Sequence, residues 1–362
     1  MSYPRARRAA RRSAHAKSAA FHLKLRQALA YYPPNHRDAE TLWFWDTLAP
    51  YGFLPLANAR VRRAAATALI DAVLAHYSRV YQDRSVRTFL VTFAWDAGLT
   101  PITEPVLDME AMERLVRRQL ERLGLNAVCA FDLDVFSKPN DGEEVRHLHM
   151  HVHALCWTRD PTFQPHTTAA KLREGRAFPN RIGAPSVKFR SRAESAAQFA
   201  AFERACRKRV RAKPVTASPN IARDRSRRDQ TALSIANLAQ YMSKDTAVSK
   251  NRYKGRDGNM RMRPEARRFT FKIALRFAEI FSEISPFDAV FGVGAEASLV
   301  TADYSARIRA WERRNRESGE PCNERELKAA WIRYFIRHAN LGLSPCIIRQ
   351  RRHTLANVAS AK

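Results

Sequence analysis

Residues 147–157 read HLHMHVHALCW. His147, His149, His151 and His153 occupy every second position and account for four of the 11 histidines in the chain. On a β-strand, successive side chains point to opposite faces. Four imidazoles therefore share one face, while Leu148, Met150, Val152 and Ala154 share the other. The stretch is expected to be a strand with its apolar side on a core beneath helices and its imidazoles facing a groove. Four ordinary core histidines are ruled out, because each needs a polar partner when buried. A solvated His-rich face, a metal site and a nucleotide-hydrolase site remain open.

The neighbouring segments extend this strand into a sheet. NAVCAFDLDVF, 126–136, has strand character, and the turn SKPNDGEE joins it to the His-rich strand as a hairpin. Phe131 and Leu133 alternate with Asp132 and Asp134, so both carboxylates can lie beside the imidazole face. Such a mixed nitrogen and oxygen set suits Mg²⁺ or Mn²⁺, with Zn²⁺ as another candidate. RTFLVTFAW, 87–95, is rich in β-branched and aromatic residues and is expected to be a strand. A helix is expected at about 107–123, with Leu107, Met109, Met112, Leu115 and Leu120 at helical spacing. The order strand, helix, strand, strand implies an α+β fold. Its expected form is an antiparallel sheet of about five strands with helices packed on one side.

Elsewhere helices prevail. They are expected at 21–32, 39–48 and 57–82, then at 193–212 and 231–244, and finally at about 264–283, 301–316 and 324–339. A short strand is expected at 186–192, a loop at 214–230 and a basic, flexible connection at 251–268. On the helix around ANLAQYMSKD, 236–245, Ile235, Leu238, Ala239 and Met242 form an apolar face. Asn237, Tyr241 and Lys244 cluster opposite, which aims the Tyr241 hydroxyl at a groove with a cation one turn later.

The charge balance points to a polyanion. Lys and Arg number 63 against 35 Asp and Glu, giving a net charge of +28 and a pI near 10.7. The first 25 residues hold seven Lys/Arg and no acid. A transit peptide has a similar composition, but the preferred reading is a basic arm that neutralises phosphates. No run of about 18 apolar residues occurs, so no spanning helix and no membrane association are expected. Five cysteines, widely spaced and without CxxC, fit a reducing cytosol with neither a disulfide framework nor a zinc finger.

Two families share the histidine pattern. His149-Met-His151-Val-His153-Ala-Leu resembles the motif of the histidine-triad nucleotide hydrolases. HVHALC, 151–156, resembles the His-hydrophobic-His motif of the HUH endonucleases of rolling-circle replication. The histidines do not choose between them. Tyr241-x-x-Lys244 in a downstream helix resembles the third motif of single-tyrosine plasmid and phage replication initiators, and FLVTF, 89–93, resembles their first. LDV, 133–135, stands where some plasmid initiators carry Leu-Glu-Val. The ordered set spans about 87–250 and favours the HUH family. Departures are Asn237, where some plasmid initiators have a Glu, an Asp in the acid position, and about 90 residues between His151 and Tyr241.

The resemblance implies an HUH endonuclease, or ferredoxin-like, fold with helical N- and C-terminal extensions. Its divisions are a disordered basic arm at 1–20, a helical region at 21–85, a nuclease domain at 86–250 and a helical region at 251–362. It implies nicking and joining of single-stranded DNA at a replication origin. On this resemblance Tyr241 would be the nucleophile, forming a 5′-phosphotyrosyl link and a free 3′-OH, and Lys244 would position the phosphate. The resemblance likewise implies that His151, His153 and Asp134 hold Mg²⁺ or Mn²⁺, with His149 in reserve. Basic segments at 5–24, 204–213 and 223–228 would track the DNA backbone. A bacterial cytosolic location and partnership with a host helicase and polymerase follow from the same resemblance. Transposases and relaxases share this chemistry. A histidine-triad hydrolase with His151 as nucleophile and a non-catalytic nucleic-acid binder are the alternatives from other classes.

Overall fold

The computed structural model describes residues 7–12, 14–16, 58–80, 85–138, 146–180, 187–191, 249–254, 260–265, 270–316 and 346–350, together with residues 19, 23, 56, 83, 343 and 344. Residues 7–12 and 14–16 are helical. The elements that follow are α1 (Ala59–Val80), β1 (Arg87–Phe93), a 3-10 turn (Asp96–Gly98), β2 (Leu99–Pro101), β3 (Val106–Asp108) and α2 (Met109–Arg122). Next come β4 (Asn126–Lys138), β5 (His147–Thr158), α3 (Pro165–Glu174), β6 (Val187–Ser191), β7 (Ser249–Lys254) and β8 (Met260–Glu265). The last are α4 (Phe271–Glu283), α5 (Pro286–Ala289), β9 (Val290–Val293), α6 (Ala295–Arg316) and β10 (Ile347–Arg349).

The fold is α+β, built on a largely antiparallel sheet in the order β6-β1-β5-β4-β7-β8. β2 also pairs with β5, and β9 with β4; the β4–β7 pair is parallel. β5 is central, with Thr92 of β1 opposite His153 and Asp132 of β4 opposite His151. Alternation divides the side chains into two cores. On one face, Leu148, Met150, Val152 and Ala154 of β5 join Leu133 and Val135 of β4 and Val91 and Phe93 of β1. That face is covered by Met112, Val116 and Leu120 of α2 and by Phe277 and Ile280 of α4. On the other face, Leu155, Trp157, Val128, Ala130 and Leu90 pack under α1 and α6. Helices thus cover both faces of the sheet rather than one, because the imidazole face turns apolar at Leu155.

The local stops obey simple rules. Asp108 caps α2 by accepting the Ala111 N–H at 2.8 Å, a contact worth about 1 kcal/mol. Gly124, at φ +63°, ends it in the left-handed conformation that lets Leu125 N–H reach Leu120 O.

Several expectations change. The basic arm is helical at 7–12 and docked: Arg7 donates to Asp71 at 2.7 Å, Arg11 pairs with the same carboxylate, and Ala10 and Ala14 are buried in the second core. A helix with alanines on one side and arginines at i and i+4 can pack and pair at once. The tract at 251–268 contains β7 and β8, an antiparallel pair, and α4 begins only at Phe271. The division at 250/251 falls inside β7, and β9 from the expected C-terminal region joins the same sheet. The expected helices at 39–48, 193–212, 231–244 and 324–339, and that at 21–32 apart from residue 23, lie outside the described residues. No helix among the described residues is long and apolar enough to cross a membrane.

Candidate metal centre

The centre forms on the polar part of the imidazole face. Strand pairing sets Asp132 against His151, Asp134 against His149, and Ala130 against His153. Ala130 offers only a methyl group, so Asp132 can lean along the diagonal toward His153, a contact that twisted strands favour. Asp132 Oδ2 lies 3.3 Å from His153 Nε2 and 3.5 Å from His151 Nε2. The two Nε2 atoms are 3.2 Å apart. Asp134 Oδ2 approaches His151 Nε2 at 3.6 Å. Asp132, His151 and His153 form a group whose ligand atoms all lie within 4.8 Å of one another, and all three residues are buried.

Hydrogen bonding sets the protons of these rings. His151 Nδ1 lies 3.3 Å from the His149 carbonyl oxygen, which can only accept, so Nδ1 carries the hydrogen. Its Nε2 is then the atom that faces Asp132. His153 Nδ1 lies 3.1 Å from Thr92 Oγ1, which holds that ring with Nε2 toward the same carboxylate. His149 is turned differently. Its Nε2 donates to the Trp95 carbonyl oxygen at 3.2 Å, and its ring meets Phe136 edge-on at 5.1 Å. The Nε2 atom that His149 would offer as a third imidazole ligand is engaged by the Trp95 carbonyl oxygen. His147, the fourth histidine, is only half-buried.

The acceptor set fits a cation. Two imidazole nitrogens and a carboxylate oxygen converge within hydrogen-bonding distance, in a site where His149, His151 and His153 are each 2 % exposed. Asp134, fully buried, adds a second carboxylate nearby. Burying two carboxylates costs several kcal/mol apiece unless positive charge compensates. A proton on an Nε2 compensates one carboxylate; a divalent metal ion compensates both. This buried Asp/His/His group can hold a metal ion.

Trp95 is positioned by a close approach. The Asp96–Gly98 turn lies across β5 so tightly that a Cβ on Gly98 would stand 1.7 Å from the Met150 carbonyl oxygen. This contact lets Leu99 pair with His149 and brings the Trp95 carbonyl to the ring. On the opposite face, burial pushes the Cys129 and Cys156 thiols up, so both are neutral at physiological pH and neither is a thiolate nucleophile.

Of the residues singled out from sequence, β4 and β5 bring His149, His151, His153 and Asp134 together. The three-residue group takes its carboxylate from Asp132. Tyr241 and Lys244 lie outside the described residues. Sequence reasoning missed Thr92 and Trp95. Thr92 sits in FLVTF, and its odd-even position on the strand was the available signal. No protein-family model, curated protein or solved structure matches this chain.

Proposed function

We propose that the protein is a metal-dependent HUH-type endonuclease that nicks and rejoins single-stranded DNA to initiate rolling-circle replication. The observation that carries the reading is the buried Asp132/His151/His153 group on β4 and β5. β5 is flanked on its other side by β1, which holds FLVTF. The antiparallel sheet with helices agrees with an HUH endonuclease fold.

Asp132, His151 and His153 would hold Mg²⁺ or Mn²⁺, with Asp134 adjacent. A divalent ion there supplies Lewis-acid polarisation of a phosphoryl oxygen. The Tyr241 oxygen, once deprotonated, attacks phosphorus. A bond forms from Tyr241 to the 5′ phosphate, the bond to the 3′ oxygen breaks, and that oxygen leaves with the electron pair and takes up a proton. Lys244 balances the phosphate charge. Bond energy is kept in the phosphotyrosyl link, so joining needs no nucleotide cofactor. A histidine-triad hydrolase would not require Tyr241.

Covalent trapping tests the proposal. Wild-type protein with labelled single-stranded DNA and Mn²⁺ should give a denaturation-resistant adduct, and Tyr241→Phe should give none. Equal adduct from Tyr241→Phe would sink the mechanism. His151→Ala with His153→Ala should abolish metal-dependent cleavage while leaving most DNA affinity.

A further inference from the structure

β6 extends the face of the metal centre one strand beyond Thr92. Its register sets Lys188 opposite Thr92 and Arg190 opposite Leu90. Val187 and Phe189 are buried in the first core, so Lys188 and Arg190 lie on the other side of the sheet, with Thr92 and His153. Exposure rises along the row that starts at the centre: His153 is buried, Thr92 half-buried and Lys188 exposed. One row further, Leu90, Leu155 and Ala130 are buried in the second core. Arg190 thus stands where the face changes from apolar to polar, at an edge that leads from solvent to the metal centre.

Arg190 carries a donor that its surroundings do not use. Its Nε is buried and has no hydrogen-bond partner among the described residues. It also forms no ion pair among them. Other arginines in the fold are held differently. Arg276 spends Nε and both terminal nitrogens on Ile102 O, Glu279 and Thr103 O. Arg307 Nε, also without a hydrogen bond, lies 3.0 Å from an Asp303 carboxylate oxygen. A guanidinium stays charged at physiological pH, and a buried donor on it is costly to leave unpaired. An anion at this edge satisfies it, and the planar fork matches two oxygens of one phosphate.

The place of Arg190 selects which phosphate. It lies two strands from His153, a separation of roughly 10 Å between backbones. The phosphate that the metal holds is therefore not the one beneath the guanidinium. A substrate that reaches both has a second phosphate further along its chain, as a strand does and a mononucleotide does not. Leu90 and Thr92, beside Arg190 on this face, supply neither an aromatic ring for stacking nor an amide for base edges. Contacts of that kind position a strand without reading its sequence.

We propose that Arg190 binds the phosphate of single-stranded DNA next to the one held at the metal, and so lays the strand along the β1–β6 edge. This rests on the endonuclease reading of the centre.

The test uses the full chain with Mn²⁺ and measures binding of an oligothymidylate of about eight nucleotides. Arg190→Gln should bind it at least fivefold more weakly at about 0.1 M salt, with the slope of log affinity against log salt reduced by about 0.7. Arg190→Lys should recover the slope but only part of the affinity, because the fork is lost. Arg118→Gln, an equal loss of charge on α2 over the opposite face, should bind like wild type. With methylphosphonate linkages, which carry no charge, wild type and Arg190→Gln should bind alike. Thymidine 5′-monophosphate should also bind both alike, since it lacks the second phosphate. Calorimetric titration should give both the same affinity for Mn²⁺. No loss in Arg190→Gln, an equal loss in Arg118→Gln, or a loss that persists with neutral linkages or with the mononucleotide overturns the inference. So does a weakened Mn²⁺ site. A selective Arg190 defect in a protein that forms no tyrosyl adduct upholds this contact and overturns the endonuclease. Adduct formation with Arg190→Gln binding like wild type does the reverse. Matching thermal melting curves confirm that the variants are folded.

Discussion

Thr92 Oγ1 stands 3.1 Å from His153 Nδ1, on the side of the ring away from Asp132. The two residues are direct partners across β1 and β5, so the contact is built into the strand register. It fixes the ring plane and keeps Nε2 directed into the centre, as outer partners of metal-binding histidines do.

Thr92→Val keeps the shape and removes the hydroxyl. Metal affinity should fall about tenfold, at the lower end of what losing such an outer partner costs. Thr92→Ser should restore it. Calorimetric titration with Mn²⁺ measures both. If Val and Ser variants bind like wild type, the hydroxyl does not orient His153.

The two carboxylates can be ranked. Asp132 Oδ2 is within 3.5 Å of both Nε2 atoms, whereas Asp134 Oδ2 approaches His151 at 3.6 Å. Asp132→Asn should reduce metal affinity more than Asp134→Asn, by at least tenfold. The reverse order, measured by the same titration, would transfer the ligand role to Asp134.

Gly98 is a packing constraint. With a Cβ 1.7 Å from Met150 O, Gly98→Ala must lift the turn off β5. The expected cost is about 1–3 kcal/mol, as for other overpacked sites. The His149–Trp95 contact should loosen as well. Chemical denaturation gives the energy, and an unchanged midpoint would show that the turn relaxes freely.

Much of this was legible in the residues themselves. The period of two at 147–154 shows which side of β5 is apolar, and the same alternation in 126–136 puts Asp132 and Asp134 on one face. The choice between those acids depended on register. Register follows from the hairpin turn and the neighbouring strand, and a shift of two residues would exchange the acids without moving either to another face. Trp95 was invisible for a related reason: it acts through its backbone carbonyl, brought to His149 by Gly98. The amino-terminal segment was misleading because its composition resembles a disordered tail, while the partner that orders it, Asp71, lies 60 to 64 residues away. The strands β7 and β8 carry Lys and Arg in place of a clear apolar alternation, so local pattern gave no sign of them.

That distant partner makes the docking of the amino-terminal segment dependent on pH. Burial raises the Asp71 carboxyl, but hydrogen bonds from Arg7 and Arg11 outweigh it and hold the group below its ordinary value of 3.8. The folded state therefore binds the proton more weakly than the unfolded state. The stabilisation is fully present above the unfolded value and is lost as pH falls through the lower, folded one. Docking should be constant from neutral pH to about 5 and weaken only in stronger acid. Asp71→Asn should mimic that acid state at neutral pH, at a cost of about 1–2 kcal/mol, because Arg7 and Arg11 keep access to water. Amide NMR signals of residues 7–12 report the change: in the variant they should move toward random-coil positions at pH 7. Native-like shifts in Asp71→Asn would mean that Ala10 and Ala14, packed on α1, hold the segment without the ion pairs.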